Sequence, residues 1–302
     1  MKKAFTLVEM LVVIGILGIL IGVLLASMSG GTESARATKC LTNMKNLANA
    51  CQSYGMANGH YPYAGSFEVM DLDESRGVSE IRKAYMERKG WISWDSRQAY
   101  DGKPTSHIAN YGWFTSTYNQ DFETREYAIT NGTLCPFVSA NRDVYVCPSH
   151  VRKIKELRPC WSYVMNCYFG WDITKGNKAR DPNYWGIEYG KLNRADRRLL
   201  FAELPFMGTE TGEINTSQGS GVELDCTLQY KGSDGSETIG FNHSSGKKQK
   251  FAHVVFADGH TERILWPNGG MDHGKLRELT EWLCTGIDVG FNGQQYEKLT
   301  NK

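Results

Sequence analysis

MKKAFTLVEMLVVIGILGILIGVLLA, residues 1–26, governs how the rest of the chain is read. From Phe5 to Ala26 the run is almost wholly apolar. A helix of that span, at about 1.5 Å per residue, reaches roughly 30 Å, the thickness of a bilayer core. Glu9 is the one charge within the run. On insertion scales a carboxylate at mid-membrane costs about 2.5–3.5 kcal/mol, and less near the end of a span, so something must reward its presence. Lys2 and Lys3 precede the run, and cations there favour a cytoplasmic N-terminus with the remainder outside. Hydropathy alone leaves open a secretory signal cut near Ala26-Ser27-Met28, or a plain anchor.

Gly30 and Gly31 follow the run. Each costs about 1 kcal/mol relative to alanine in a helix, so a kink or meltable joint is expected there. Leu41, Met44, Leu47, Ala48 and Cys51 then recur at three- and four-residue steps, the pattern of an amphipathic helix whose stripe packs on a core. Gly55 or Asn58-Gly59 should end that helix before Tyr61-Pro62. The segment Asp71 to Glu126 carries WISW (91–94) and YGWF (111–114), which suit a buried core or, less commonly, a sugar-stacking surface. Near the C-terminus, HVVFADGHTERILW (253–266) has β-branched and aromatic residues flanking Asp258-Gly259. That pattern predicts a β-hairpin over 251–266 with a turn that needs positive φ.

The chain has 302 residues, enough for a sizeable core beyond any anchor. Lys+Arg is 34 against Asp+Glu 33, a balance that argues against a nucleic-acid partner. With 32 glycines, 15 tyrosines, 8 tryptophans and 8 prolines, a loop-rich, aromatic-cored domain with short strands is expected.

Eight cysteines in an outward-facing domain allow up to four disulfides. Cys40 and Cys51, about 16 Å apart along one helix, cannot pair with each other. Cys135, Cys147, Cys160 and Cys167 are the candidates for local bridges, and free buried thiols are an equal alternative. No C-x-x-C occurs, which disfavours a zinc ribbon or redox motif. His243, Asp258 and His260 are residue types that ligate divalent ions, but so near a turn they are more often solvated or hydrogen-bonded. No metal or cofactor is expected. Cys147-Pro148-Ser149-His150 sets a thiol near an imidazole in sequence, whereas catalytic Cys/His pairs usually come from distant segments. No nucleophile elbow, phosphate loop or metalloprotease helix is present, so no catalytic residue is assigned.

The opening MKKAFTLVEMLVVIGILGIL closely resembles the N-terminal signature of type IV prepilins and type II secretion pseudopilins. The resemblance implies a leader of residues 1–4 removed by a prepilin peptidase after Ala4, and methylation of the new N-terminal Phe5. Most relatives have glycine where this chain has Ala4, and both are small. Glu9 matches the family's glutamate, which implies pairing with the N-terminal amine of a neighbouring subunit. In a low-dielectric filament an unpaired carboxylate or amine is costly, and the pair relieves both.

The segments AITNGTLCPFVSANRDVYVCPSH (128–150), SYVMNCYFGW (162–171), RLLFAELPF (198–206) and FAHVVFADGHTERI (251–264) occur in an order similar to that of large pilin-like proteins with a prepilin-processing-associated C-terminal domain. The hallmark there is a histidine separated by nine residues from Asp-Gly. Here fourteen residues lie between His243 and Asp258, and GKKQK (246–250) reads as an insertion.

The resemblance implies an α+β, pilin-like fold, in which a long hydrophobic N-terminal helix packs on a globular head with an antiparallel β-sheet and large loop insertions. Its parts would be an assembly helix at 5–29, an amphipathic continuation at 32–58 and an extracytoplasmic head at 59–302. The implied partners are prepilin peptidase, other pilin or pseudopilin subunits, the inner-membrane assembly machinery and the membrane itself. The implied location is the bacterial inner membrane, as a single-pass protein. The alternative is a membrane-anchored extracytoplasmic module that binds glycan, or a hydrolase. The Glu9 reading gives a direct prediction: Glu9→Leu leaves leader cleavage intact by immunoblot but abolishes sheared filaments, and filaments of normal yield from that variant would refute the pairing.

Overall fold

The computed structural model describes residues 7–64, 90–92, 129–130, 132–153, 161–169, 187–203, 227–228, 238–245, 249–286 and 292–300. Of residues 22–31, 151–153, 167, 227 and 273 it describes the backbone alone. Ala4, Phe5, Trp94, the YGWF segment, Cys160 and Cys226 lie outside the described residues.

A single helix, α1 (Leu7–Asn58), runs for 52 residues, roughly 80 Å at the usual rise. It passes through Gly30-Gly31 without interruption, so the joint expected there does not form. The reason is cooperativity. Ending a helix leaves up to four carbonyls and, at the restart, four N–H groups without intrahelical partners, and the restart must renucleate. Two glycines at about 1 kcal/mol each are the smaller penalty. The helix ends at Asn58, where the Gly59 N–H donates to the Gly55 carbonyl at 2.8 Å. Gly59 takes φ +78°, a left-handed C-terminal conformation that a side chain would resist.

The sheet is mixed and six-stranded. It comprises β1 (Tyr163–Asn166), β2 (Leu199–Glu203), β3 (Thr227–Leu228), β4 (His243–Ser245), β5 (Gln249–Phe256) and β6 (Thr261–Leu265). β3 and β1 are parallel, and the other pairings are antiparallel. β5 is the central strand. Its Phe251–Val255 stretch pairs with β6, while β2 pairs with Val254–Phe256 and β4 with Gln249–Phe251. A strand has two edges, so β2 and β4 lie end to end along the edge opposite β6. The β5–β6 connection turns at Asp258-Gly259, with Gly259 at φ +89° and its N–H on the Phe256 carbonyl at 2.9 Å.

Helices cover both faces of this sheet, which explains why β1 and β2 are buried along their whole length and read as continuous apolar runs. One face packs Met44, Leu47, Ala48 and Cys51 of α1 against Tyr163, Met165, Phe201 and Val255, with Trp91 and Tyr145 beside them. On the other face, Val164, Ala202, Ala252, Val254 and Phe256 meet Leu276, Leu279 and Leu283 of α3 (His273–Thr285) and Tyr296 of α4 (Gly293–Thr300). A short helix, α2, spans Pro148–Lys153. Asp272 caps α3, accepting from the Lys275 N–H at 2.9 Å. The buried stripe of α1 starts at Ala37 and Cys40, while Leu41 is half-buried; it is rotated slightly from the stripe read in the sequence.

Leu47 has no exposed surface and sits centrally in the first core. Leu47→Ala should therefore destabilise by about 2–5 kcal/mol in urea unfolding of the detergent-solubilised chain. Met56→Ala, on the exposed side of the same helix, should stay within about 0.5 kcal/mol. Equal losses at the two positions would show that α1 does not pack as described.

Candidate functional site

Two regions of α1 carry features that packing alone does not explain. The first is its N-terminal part. Glu9 lies in the first helical turn, and the large apolar residues from Leu7 to Ile21 around it are all exposed, Leu7 at 78% and Ile19 at 70%. A helix apolar on every side is not stable in water and calls for an apolar medium or neighbouring helices. Among the described residues, no helix is long and apolar enough to cross a membrane. The sequence of α1 continues apolar to Ala26.

The second region is a buried polar cluster between α1 and the sheet. Glu203 ends β2 and His243 begins β4. Because those strands follow one another along a single edge of β5, their ends bring the two side chains together. His243 Nε2 lies 3.1 Å from Glu203 Oε1 and 3.8 Å from Cys147 Sγ. On the other side of the ring, Nδ1 lies 3.2 Å from Glu33 Oε1 and 3.4 Å from Ser149 Oγ. Ser149 Oγ donates to Glu33 Oε1 at 2.7 Å, and Arg36 pairs with Glu33 at 3.4 Å. Cys40 Sγ donates to Glu203 Oε1, Asn242 Nδ2 donates to Glu203 Oε2 at 3.1 Å, and Tyr163 Oη lies 3.4 Å from Cys40 Sγ.

Local structure explains each placement. Cys40 is on the buried stripe of α1, three and four residues from Ala37 and Met44. Glu33 lies about two turns nearer the N-terminus, on the same side. Asn43, also on this face, donates to the Asp143 and Val146 carbonyls at 3.0 and 2.9 Å and so fixes the loop that delivers Cys147. The Cys147 N–H donates to Ser162 Oγ at 2.9 Å.

The electrostatics follow from that crowding. Burial pushes the Glu203 carboxyl up, but the charge of His243 and hydrogen bonds from His243 and Cys40 outweigh it and hold the group low. Burial pushes the His243 imidazolium down, and the Glu203 charge with hydrogen bonds to Cys147, Glu203 and Glu33 drives it well up instead. Without a metal the cluster therefore holds an imidazolium between carboxylates. Burial, Cys147 and the Glu203 charge push the Cys40 thiol up. Cys147 moves down despite its burial, through its hydrogen bonds to Cys40 and His243 and the His243 charge.

The geometry answers several questions that the sequence leaves open. His243, Asp258 and His260 do not gather. Asp258 and His260 pair with each other at 2.6 Å beyond the far end of β5, roughly 20 Å along the strand from the His243 register. The thiols of Cys40, Cys51, Cys135 and Cys147 are buried and form no disulfide, so Cys135 and Cys147 are not bridged. Cys147 faces His243 and not His150, whose Nδ1 lies 2.8 Å from Ser162 Oγ. Trp91 is a core residue, stacked on Tyr145 with ring centroids 5.8 Å apart, and offers no sugar-binding face. Cys40, Cys147, Glu203 and His243 together present metal-ligand atoms all within 4.8 Å of one another. Sequence reading missed that set because its members are scattered over four separate segments.

The N-terminus supplies the relationship. A family described as a prokaryotic N-terminal methylation motif matches residues 1–25. The chain is 36% identical over 61 residues to the type II secretion system core protein G of Escherichia coli (strain K12), covering 20% of this chain and 42% of that protein. It is 38% identical over 61 residues to the protein of that name from Aeromonas hydrophila, covering 20% and 43%. The chain thus spans about two fifths of the length of the curated relatives it matches. No solved structure matches it. In its N-terminal segment the chain resembles prepilins and type II secretion pseudopilins.

The ion pair at the second region yields a double-mutant prediction. With chelator present, His243→Leu leaves Glu203 buried without its imidazolium and should cost about 3–5 kcal/mol, whereas Glu203→Met with His243→Leu should recover most of that loss. Equal destabilisation by the single and double variants in urea unfolding would show that volume, not charge pairing, sets the effect.

Proposed function

We propose that the protein is a pilin-like structural subunit that is cut after Ala4 by a prepilin peptidase and methylated on Phe5. It then assembles with other subunits into a type II secretion pseudopilus or a related type IV pilus-like fibre. The observation that carries this reading is the exposure of the apolar α1 surface from Leu7 to Ile21 around the whole helix, continuous with a second half of the helix that is locked onto the sheet.

Before assembly the apolar half would reside in the inner membrane, with Lys2 and Lys3 on the cytoplasmic side and the sheet outside. After assembly, neighbouring helices would replace lipid, and Glu9 would take the freed Phe5 amine of an adjacent subunit as its counter-charge. The role is architectural. Its chemistry consists of one cleavage, one methylation and many apolar contacts, all performed on the chain by other proteins.

Mass spectrometry of the native mature chain, combined with shearing of cells to collect filaments, tests the proposal. The expected chain begins with N-methyl-Phe5 and appears in the sheared fraction. A chain that retains Met1, or one cut beyond Ala26, would overturn it.

A further inference from the structure

We infer that Cys40, Cys147, Glu203 and His243 form a tetrahedral structural site for a divalent zinc ion that fastens α1 to the sheet. The inference rests on the buried cluster alone and does not depend on the proposed assembly role.

Donor chemistry selects the ion. Two thiols, one imidazole and one carboxylate are a borderline-soft set suited to zinc. Calcium and magnesium require oxygen ligands throughout, and iron–sulfur clusters draw mainly on cysteine thiolates, four in the common types. Bonds of about 2.0–2.3 Å place the corners of a zinc tetrahedron about 3.3–3.8 Å apart. The Cys147–His243 and His243–Glu203 edges are 3.8 and 3.1 Å, and all four ligand atoms lie within 4.8 Å of one another. All four residues are buried, which makes this a closed site with no position for substrate and therefore a structural one.

The surroundings argue more strongly than the donors do. A metal-bound histidine usually donates its other ring N–H to a carboxylate or similar acceptor, which fixes the tautomer and the ring orientation. Here Nε2 faces Glu203 and Cys147 while Nδ1 faces Glu33 at 3.2 Å, and Glu33 is itself held by Ser149 and Arg36. The second oxygen of Glu203 is engaged by Asn242 at 3.1 Å, and the Tyr163 hydroxyl reaches Cys40 Sγ. An imidazolium–carboxylate pair would need only Glu203 and His243. It gives no reason for a thiol from α1 and a thiol from a distant loop to converge on the same pair.

On binding, the two thiols and the imidazolium Nε2 lose their protons to solvent. Two thiolates, one carboxylate and a neutral imidazole then surround the dication, and four sulfur, nitrogen and oxygen bonds to zinc form.

The full chain, purified in detergent, would be stripped with chelator, incubated with zinc, desalted and measured by elemental analysis. About one zinc per chain is expected, with a rise in thermal midpoint, since binding to the folded state alone stabilises it. Cys147→Ser and His243→Gln should lose the ion, and Cys135→Ser, a buried thiol outside the cluster, should retain it. Glu33→Ala should weaken binding about 10–100-fold.

Cobalt substitution of the unmodified chain gives a readout independent of how the variants fold. Tetrahedral d–d bands with thiolate-to-cobalt charge transfer support the site. Absence of zinc uptake by the unmodified chain, a cobalt spectrum without thiolate bands, or a Cys40–Cys147 disulfide in native material by non-reducing peptide mapping would overturn it.

Discussion

The imidazole of His243, held between Glu33 on α1 and Glu203 on β2, is the interaction on which the union of helix and sheet turns. The apolar stripe of α1 supplies most of the energy there, since each fully buried Leu or Met contributes about 1.5–3 kcal/mol. Burial of that kind is non-directional, and a helix with only such a stripe could slide or roll on the sheet. The polar cluster is directional. Moving α1 along its axis by one turn, about 5.4 Å, would strand Glu33 and Cys40 away from partners that have no access to water. The penalty for leaving a buried charge unpaired, several kcal/mol, is what fixes the register.

The strand arrangement makes that interaction available. β2 and β4 share one edge of β5, so the last residue of one and the first of the other meet at the seam between them. The Gly240 N–H donates to the Glu203 carbonyl at 2.6 Å, continuing backbone pairing where neither strand does so alone. Charges are rarely buried in a sheet between two layers of helix. This seam tolerates them because a carboxylate, an imidazole, an amide and two thiols satisfy one another within it.

What the sequence made legible was local. The apolar run and Glu9, the helix end at Gly59 and the turn at Asp258-Gly259 each follow from a few adjacent residues and the φ or hydropathy they impose. The α1 stripe is legible to within one position: the spacing points to Leu41, whereas the adjacent Cys40 is the buried residue, its thiol packing as a small hydrophobe. α3 went unread despite Asp272 at its start, Gly286 at its end and Leu276, Leu279 and Leu283 at helical spacing, and those signals would have sufficed. At Gly30-Gly31 local propensity alone points to a joint, and the cooperativity of the helix on either side outweighs it. The cluster itself could not be read. Its residues at positions 33, 40, 147, 203 and 243 meet only through the order of the strands, and the sequence offers Asp258 and His260 as companions of His243 only by residue type. β5 runs between them and holds them at opposite ends.

The place of the cluster along α1 connects the two halves of the molecule. Among the described residues, the half-buried Glu33 and the buried Cys40 lie near the start of the part of α1 that meets the sheet, on the side of its apolar end. Force or torsion entering through the apolar half therefore reaches this seam before it reaches the leucine and methionine contacts further on. Contacts loaded one at a time in this way fail in sequence, so the outermost sets the threshold for peeling the helix from the sheet. A purely apolar contact yields gradually as atoms separate, and water can replace it at little electrostatic cost. A buried imidazolium between two carboxylates, or a metal held by four residues from four elements, keeps its full attraction until its geometry breaks and then exposes charge to a partly dry seam. Polar chemistry is therefore better placed at the mouth of this junction than deeper in it, where α1 is already fixed by packing.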